Sequence, residues 1–255
     1  MNIALFDLDN TLIEGDSDHE WGNFLVENNY VDPVFYEREN NKFFEQYKKG
    51  TLCPKEFALF SYEPLTKYDY KTLLEIRKRF FNEKITPLVL PKAIDLVNHH
   101  KQNNDILAIV TSTNSFISRI SADFFGINHL LASEPEFKNN KFTGKLQGEP
   151  CFQIGKVTKV KEWIKINKIS NFQEIFFYTD SHNDTELMEF CTHPVAVDPD
   201  EIYTKGKYLY FSRDVPGLKD YFEEYAADLF NRFLTKDDFV IEVASNDGIL
   251  LDFLR

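Results

Sequence analysis

The chain has 255 residues, of which 43% are hydrophobic and 27% charged, and its formal net charge is −12. This length accommodates one large α/β domain, or a core with a small accessory domain. The acidic balance argues against nucleic acid and anionic membranes as partners, because both attract clustered Lys and Arg. No secretory leader pattern or 18-residue apolar run is present, so we expect a soluble, cytoplasmic protein.

The first third of the chain predicts one strand followed by a long helical region. Residues 2–8 form an apolar run that ends in acid, which is typical of a buried strand. Between residues 21 and 81 the apolar side chains recur at helical spacing, as at Trp21, Phe24 and Leu25. No convincing strand pattern interrupts this region, which therefore predicts an all-helical insert.

After Pro87 the pattern alternates between helices and strands. The predicted helices cover residues 93–100, 116–125, 157–166 and a segment from 185. The predicted strands cover residues 106–110, 174–179 and 194–197, and a β-hairpin is predicted over 137–148. Such alternation predicts a doubly wound parallel, Rossmann-like α/β sheet, with the helical cap inserted after its first strand.

Three parts follow from this pattern. Residues 1–14 and 87–213 would form the catalytic core, and residues 15–86 the cap. Residues 214–255 would form a short C-terminal appendix made of an amphipathic helix, 215–234, and a strand, 239–243. The sequence predicts no oligomeric state.

Two carboxylates follow the first strand directly, at Asp7 and Asp9. At a strand end, one carboxylate can hold a metal and attack phosphorus, while its neighbour in a drier setting holds a proton. A turn in which Asp9 or Thr11 caps local N–H groups is an equally good explanation of this stretch alone.

Further polar residues lie at the predicted ends of other strands or at a helix start. Thr111 follows the strand 106–110, and Lys156 begins a helix. The acids Asp180 and Asp184 lie in a turn after the strand 174–179, where they would suit a hard cation. Each feature alone also fits a structural role, but their order places them at one edge of a parallel sheet.

In that order the residues resemble the haloacid dehalogenase-like hydrolases, in particular the phosphoserine-phosphatase-like subfamily with a helical cap. The matching stretches are FDLDNTL at 6–12, IVTSTN at 109–114, CFQIGKV at 151–157 and YTDSHND at 178–184. Two longer runs, GDSDHEWGNFL at 15–25 and HPVAVDPD at 193–200, resemble one bacterial branch of the subfamily. The resemblance covers about residues 1–213.

The resemblance implies a Mg²⁺-dependent phosphatase that works through an aspartyl-phosphate. Asp7 would be the nucleophile and a metal ligand, and Asp9 the general acid and base and a ligand through its carbonyl. The groups implied to hold the phosphoryl group or substrate are Thr111, Ser112, Lys156 and Asn183. Asp180 would bind the metal directly, and Asp184 would complete the metal site and steady Lys156.

The implied substrate is a small phosphate ester with an amine. Asp16 occupies the position at which phosphoserine phosphatases read an ammonium group. Residues 50–62 contain no Arg that would read a carboxylate, and Lys55 would be an imperfect substitute. The absence of this Arg favours histidinol phosphate or serinol phosphate over phosphoserine. His19 and Trp21 are expected mainly to pack between cap and core.

Residues 239–251 resemble the first strand and Gly-containing turn of the SAM-binding fold of sugar C-methyltransferases, with Glu242 and Gly248 at the matching positions. The later strand and the catalytic region of such an enzyme do not follow. We therefore expect no SAM binding and an inert appendix. The alternatives are a fragment of a bifunctional phosphatase–methyltransferase, or a binding module that keeps the fold with little activity.

Overall fold

The computed structural model of the chain describes residues 1–200 and the helix 218–233. Two compact units are distinguished, residues 1–200 and residues 201–255. The first contains the described sheet, and the second contains the described C-terminal helix. The predicted strand 239–243 and the segment that resembles a SAM-binding fold lie outside the described residues.

The described part of the first unit contains a six-stranded sheet in the order β4-β3-β2-β1-β5-β6. The strands are β1 (Ile3–Phe6), β2 (Ile106–Asn114), β3 (His129–Lys138), β4 (Lys141–Gln147), β5 (Ile175–Thr179) and β6 (His193–Ala196). Every neighbouring pair is parallel except β3 and β4. The predicted doubly wound α/β class is confirmed.

Strand β1 lies at the centre of the sheet and is fully buried. The chain leaves β1 toward β2 and β3 on one side, and returns to β5 and β6 on the other. Phe6 is paired with Ile109 of β2 and with Tyr178 of β5, so β1 and β5 end within one residue of each other, while β2 continues to Asn114. In such sheets a crevice opens where the strand order reverses, and Asp7 lies at its base.

Helices α1–α4 lie between β1 and β2, and no strand occurs among residues 15–86, all of which are described. The inserted helices are α1 (Ser17–Glu27), α2 (Pro33–Lys48), α3 (Pro54–Tyr62) and α4 (Tyr70–Phe80). The others are α5 (Pro91–Gln102), α6 (Ser115–Phe124), α7 (Ile154–Ile166), α8 (Thr185–Phe190) and α9 (Leu218–Phe233). Among the described residues, no helix is both long and apolar enough to cross a bilayer.

The region 129–148 is more regular than the sequence pattern predicts. The hairpin was expected over 137–148, but β3 begins at His129 and first pairs in parallel with β2. Its second half then pairs antiparallel with β4, through a turn in which Asn139 and Asn140 both have positive φ. The first half was missed because its short apolar run, Leu130–Ala132, has no distinctive period.

Strand β2 also extends beyond its predicted end at Val110. Its pairing with β3 shifts register between Val110 and Asn114. Irregular pairing of this kind bends a strand and changes the direction of its side chains. The polar residues 111–113 lie in this irregular part, directly beside the crevice.

Trp21 packs between the inserted helices and the core. The indole is 1% exposed and contacts the rings of Phe24, Phe80 and Phe116, at centroid distances of 6.0, 5.1 and 6.5 Å. Its N–H has no hydrogen-bond partner among the described residues. Trp21 therefore stabilises the junction of α1, α4 and α6 through apolar contact, as the sequence led us to expect.

We predict that Trp21→Ala lowers the free energy of unfolding by about 3–5 kcal/mol, because it leaves a large cavity in this aromatic cluster. Trp21→Phe should cost much less, since the indole N–H satisfies no partner. Urea unfolding followed by circular dichroism measures both changes. Equal losses in the two variants would contradict the packing role.

Candidate active site

A buried lysine links three loops at the carboxyl edge of the sheet. Lys156 Nζ donates hydrogen bonds to Asp7 Oδ1 at 2.9 Å and to Asp184 Oδ2 at 2.7 Å. The Thr179 hydroxyl also donates to Asp184 Oδ2, at 2.7 Å. Asp184 thus has both a cation and a hydroxyl on its carboxylate, which fixes its orientation.

The start of α7 is shaped to bring Lys156 into this position. Gln153 precedes the helix with a φ of +48°, which is uncommon for a residue with a side chain. A Cβ on Gly155 would lie 2.2 Å from the carbonyl oxygen of Pro150, so only glycine fits there. The tight turn lets Lys156 leave the first turn of the helix with its side chain only 2% exposed.

Burial and the charges of neighbouring groups both shift the pKa values of this cluster. Burial alone would lower the pKa of Lys156, but the negative charges of Asp184 and Asp7 outweigh this effect and raise it. Burial raises the pKa of Asp7 well above its usual range, although Lys156 opposes the rise. Burial also raises the pKa of Asp180 to about 7, and the charge of Asp184 adds to this.

The carboxylate of Asp9 is held by two donors from different parts of the chain. The backbone N–H of Ser17 donates to Oδ1 at 2.7 Å, and the Thr113 hydroxyl donates to Oδ2 at 2.8 Å. Burial raises the pKa of Asp9, whereas these hydrogen bonds lower it. Asp9 is therefore oriented by the cap entrance and by β2, and its environment favours holding a proton.

Thr113 and Ser17 were not identified from the sequence as site residues. Thr113 belongs to the TSTN stretch, but the phosphoryl-binding role of that stretch is predicted from the sequence for Thr111. In the structure Thr111 is fully buried, and its hydroxyl accepts the backbone N–H of Thr113 at 3.1 Å. Ser112 lines the adjoining cavity together with Thr113. The phosphoryl-binding role of Thr111 stays a prediction.

A cavity between the inserted helices and the sheet edge adjoins Asp9. It is lined by Asp9, Asp16, Asp18, His19, Asn40, Phe43, Phe44, Tyr47, Leu52, Pro54, Phe57, Ala58, Tyr62, Ser112, Thr113, Ser133 and Phe152. Three of these side chains are carboxylates and several are aromatic, but no lining residue described in the structure is Lys or Arg. The cavity therefore favours a ligand that is cationic and partly flat.

Asp16 and Asp18 lie at the start of α1. Asp16 caps the helix by accepting the N–H of His19 at 2.8 Å. Burial raises the pKa of Asp16 to about 7, and the charge of Asp9 adds to the rise. Burial likewise raises the pKa of Asp18, whose carboxylate accepts a hydrogen bond from Asn114 at 3.3 Å. A cation in the cavity would offset the cost of keeping these groups ionised.

Other residues singled out in the sequence take different positions. Lys55 is exposed, pairs with Glu149 at 3.1 Å and does not line the cavity. His19 does line it, with its ring stacked 4.1 Å from Phe44; packing is the first expectation for this residue and a ligand contact the second. Asn183 is buried in the loop after β5 and accepts a hydrogen bond from Gln153 at 3.4 Å.

The acidic edge has oxygen donors suitable for a divalent cation. No group of three Asp, Glu, His or Cys side chains that could enclose a metal occurs among the described residues. The metal-ligand roles of Asp7, Asp9, Asp180 and Asp184 stay predictions, and the Asp184 carboxylate is engaged by Lys156 and Thr179. Within the described part of the chain, the Asp180 carboxylate accepts one long hydrogen bond, from the Thr11 hydroxyl at 3.5 Å. Asp7 and Asp180 therefore have carboxylate oxygens that fit Mg²⁺.

The sequence model of the family described as haloacid dehalogenase-like hydrolase matches residues 4–189. The chain is a haloacid dehalogenase-like hydrolase. It is 35% identical over 202 residues to a histidinol-phosphatase of Neisseria meningitidis serogroup C, covering 78% of this chain and 91% of that protein. The predictions of this family and of a phosphatase are confirmed.

Solved structures agree with this family. A protein of unknown function from Bordetella pertussis Tohama I is 35% identical, with a TM-score of 0.76 over 80% of this chain and 93% of that one. A substrate-bound phosphoserine phosphatase has a TM-score of 0.60 over 80% of this chain and 89% of that one. Because the identity to the latter is 18%, this likeness shows the shared fold alone.

We predict that Thr113→Val lowers kcat by about 10-fold, because Asp9 loses a hydrogen bond that orients it. Thr113→Ser keeps the hydroxyl and should retain most of the activity. Initial rates with p-nitrophenyl phosphate measure both variants, and their unfolding midpoints control for stability. A valine variant with full kcat would show that Asp9 does not depend on this contact.

Proposed function

We propose that this hydrolase removes the phosphate from a small amino-alcohol phosphate, with histidinol phosphate as the best candidate. The observation that carries the proposal is the cavity beside Asp9. It has three carboxylates and aromatic walls, and none of its described lining residues is Lys or Arg. Lys156 is engaged by Asp7 and Asp184, so it balances charge at the phosphoryl end.

The charge of the cavity discriminates among the three candidate substrates. Histidinol phosphate carries an ammonium group and a flat imidazole, which suit the acids and the aromatic walls. Serinol phosphate has the ammonium group but no ring. The carboxylate of phosphoserine would face Asp9, Asp16 and Asp18 without a cation to pair with, which costs binding energy.

The similarity to the Neisseria histidinol-phosphatase supports the same choice. It extends over 78% of this chain and 91% of that protein. The cavity and the relative are independent observations that favour the same substrate.

The first chemical step would form an aspartyl-phosphate. An oxygen of Asp7 attacks phosphorus, and the bond from phosphorus to the substrate's ester oxygen breaks. Asp9 gives its proton to that leaving oxygen, so a neutral alcohol departs. The raised pKa of Asp9 and its orientation by Thr113 and Ser17 support this role.

The second step would release phosphate. Asp9, now ionised, takes a proton from a water molecule that attacks the phosphorus, and the bond to Asp7 breaks. Lys156 keeps the Asp7 carboxylate paired when it is regenerated. Mg²⁺ held by Asp7, Asp180 and the Asp9 carbonyl would neutralise charge on the phosphoryl oxygens.

We expect removal of divalent metal with EDTA to abolish turnover, and added Mg²⁺ to restore it, because the available ligands are hard oxygens. Asp180→Asn should increase the Mg²⁺ concentration needed for half-maximal rate by about 10-fold or more. Metal titrations of initial rate measure both effects. Full activity in excess EDTA would refute the metal assignment.

Histidinol phosphate should have a kcat/KM above those of sugar phosphates, nucleotides and phosphoserine in a panel at saturating Mg²⁺. Asp16→Asn should lower kcat/KM for histidinol phosphate by about 10-fold or more, because the neutral amide has no negative charge to attract an ammonium group. The same change should alter hydrolysis of p-nitrophenyl phosphate much less. Asparagine retains the helix-capping oxygen, so stability is preserved.

Two results would contradict the substrate assignment. One is a best substrate that contains no amine. The other is an Asp16→Asn variant that keeps the wild-type ratio of histidinol phosphate to p-nitrophenyl phosphate turnover.

A further inference from the structure

Tyr47 is a cap residue whose position connects the substrate cavity with the catalytic carboxylates. It lies in the last turn of α2 and lines the cavity with Asp9 and Thr113. Its ring lies 6.5 Å from that of Phe152, in the loop that precedes Lys156. The end of α2 therefore faces one of the loops that build the phosphoryl site.

The neighbouring residues of α2 place the same helix end over a second catalytic loop. The N–H of Gly50 donates to the carbonyl oxygen of Tyr47 at 3.0 Å, which closes the helix. A Cβ on Gly50 would lie 2.9 Å from Nε2 of His182, between Asp180 and Asp184 in the sequence. Close backbone approach at Gly50 thus brings Tyr47 to the acidic edge of the sheet.

The hydroxyl of Tyr47 has no hydrogen-bond partner among the described residues. Burial raises the pKa of this phenol, and the charges of Asp7, Asp180 and Asp184 raise it further. Tyr47 therefore stays protonated, as a hydrogen-bond donor that lines the cavity beside Asp9. A phosphoryl oxygen that enters beside Asp9 would accept a hydrogen bond from this donor.

We propose that Tyr47 is a catalytic residue of the cap, whose hydroxyl donates a hydrogen bond to a non-bridging oxygen of the phosphoryl group. This inference rests on the proposed phosphatase reaction at Asp7, but not on the identity of the leaving group. This inference also assigns the cap a role in binding the phosphoryl group. Besides lining the substrate cavity, the cap would complete the binding of the transferred group.

Tyr47→Phe removes only the hydroxyl and should lower kcat/KM by about 10- to 100-fold, the range for a lost hydrogen bond to a charged group. Because the contact is to the phosphoryl group, the loss should be equal for p-nitrophenyl phosphate and histidinol phosphate. The inhibition constant of inorganic phosphate should rise by about 10-fold. Tyr36→Phe is the matched control, since Tyr36 is buried on the same helix and does not line the cavity.

The outcomes separate this inference from the choice of substrate. If histidinol phosphate is not hydrolysed, the p-nitrophenyl phosphate rates and phosphate inhibition still test Tyr47. A loss confined to the amine-bearing substrate would overturn the inference and place the hydroxyl on the leaving group. Unchanged rates and unchanged phosphate inhibition would also overturn it. An unfolding midpoint for Tyr47→Phe equal to that of the wild type excludes a folding defect.

Discussion

The ion-paired position of Lys156 is the constraint on which the rest of the site depends. Its ammonium group is buried between Asp7 and Asp184, and removing such a partner leaves buried carboxylates without compensation. The required position explains the glycine at 155 and the strained backbone at Gln153. It also joins α7 to the segments that follow β1 and β5, because these segments supply Asp7 and Asp184.

Charge is divided between the two ends of the crevice. At the phosphoryl end, Lys156 and the predicted Mg²⁺ offset the acids. In the cavity the carboxylates of Asp16 and Asp18 have no lysine or arginine partner among the described lining residues. A substrate with an anionic phosphate at one end and a cationic amine at the other matches this division, whereas a second carboxylate does not.

The sequence predicted the parts of the site that follow directly from strand ends. Asp7, Lys156 and Asp184 were named in advance, and the structure brings them together. Thr113 and Tyr47 were not, because their roles depend on a register shift in β2 and on the approach of α2 to distant loops. Contacts of that kind join segments far apart in the chain and leave no local periodicity.

Trapping the covalent intermediate tests the central claim most directly. Asp9→Asn should form the aspartyl-phosphate but hydrolyse it slowly, since no carboxylate remains to activate water. After incubation with an aryl phosphate and Mg²⁺, acid quenching and peptide mass spectrometry should locate one phosphoryl group on Asp7. A phosphoryl group on another residue, or turnover by Asp7→Asn at the wild-type rate, would contradict the account.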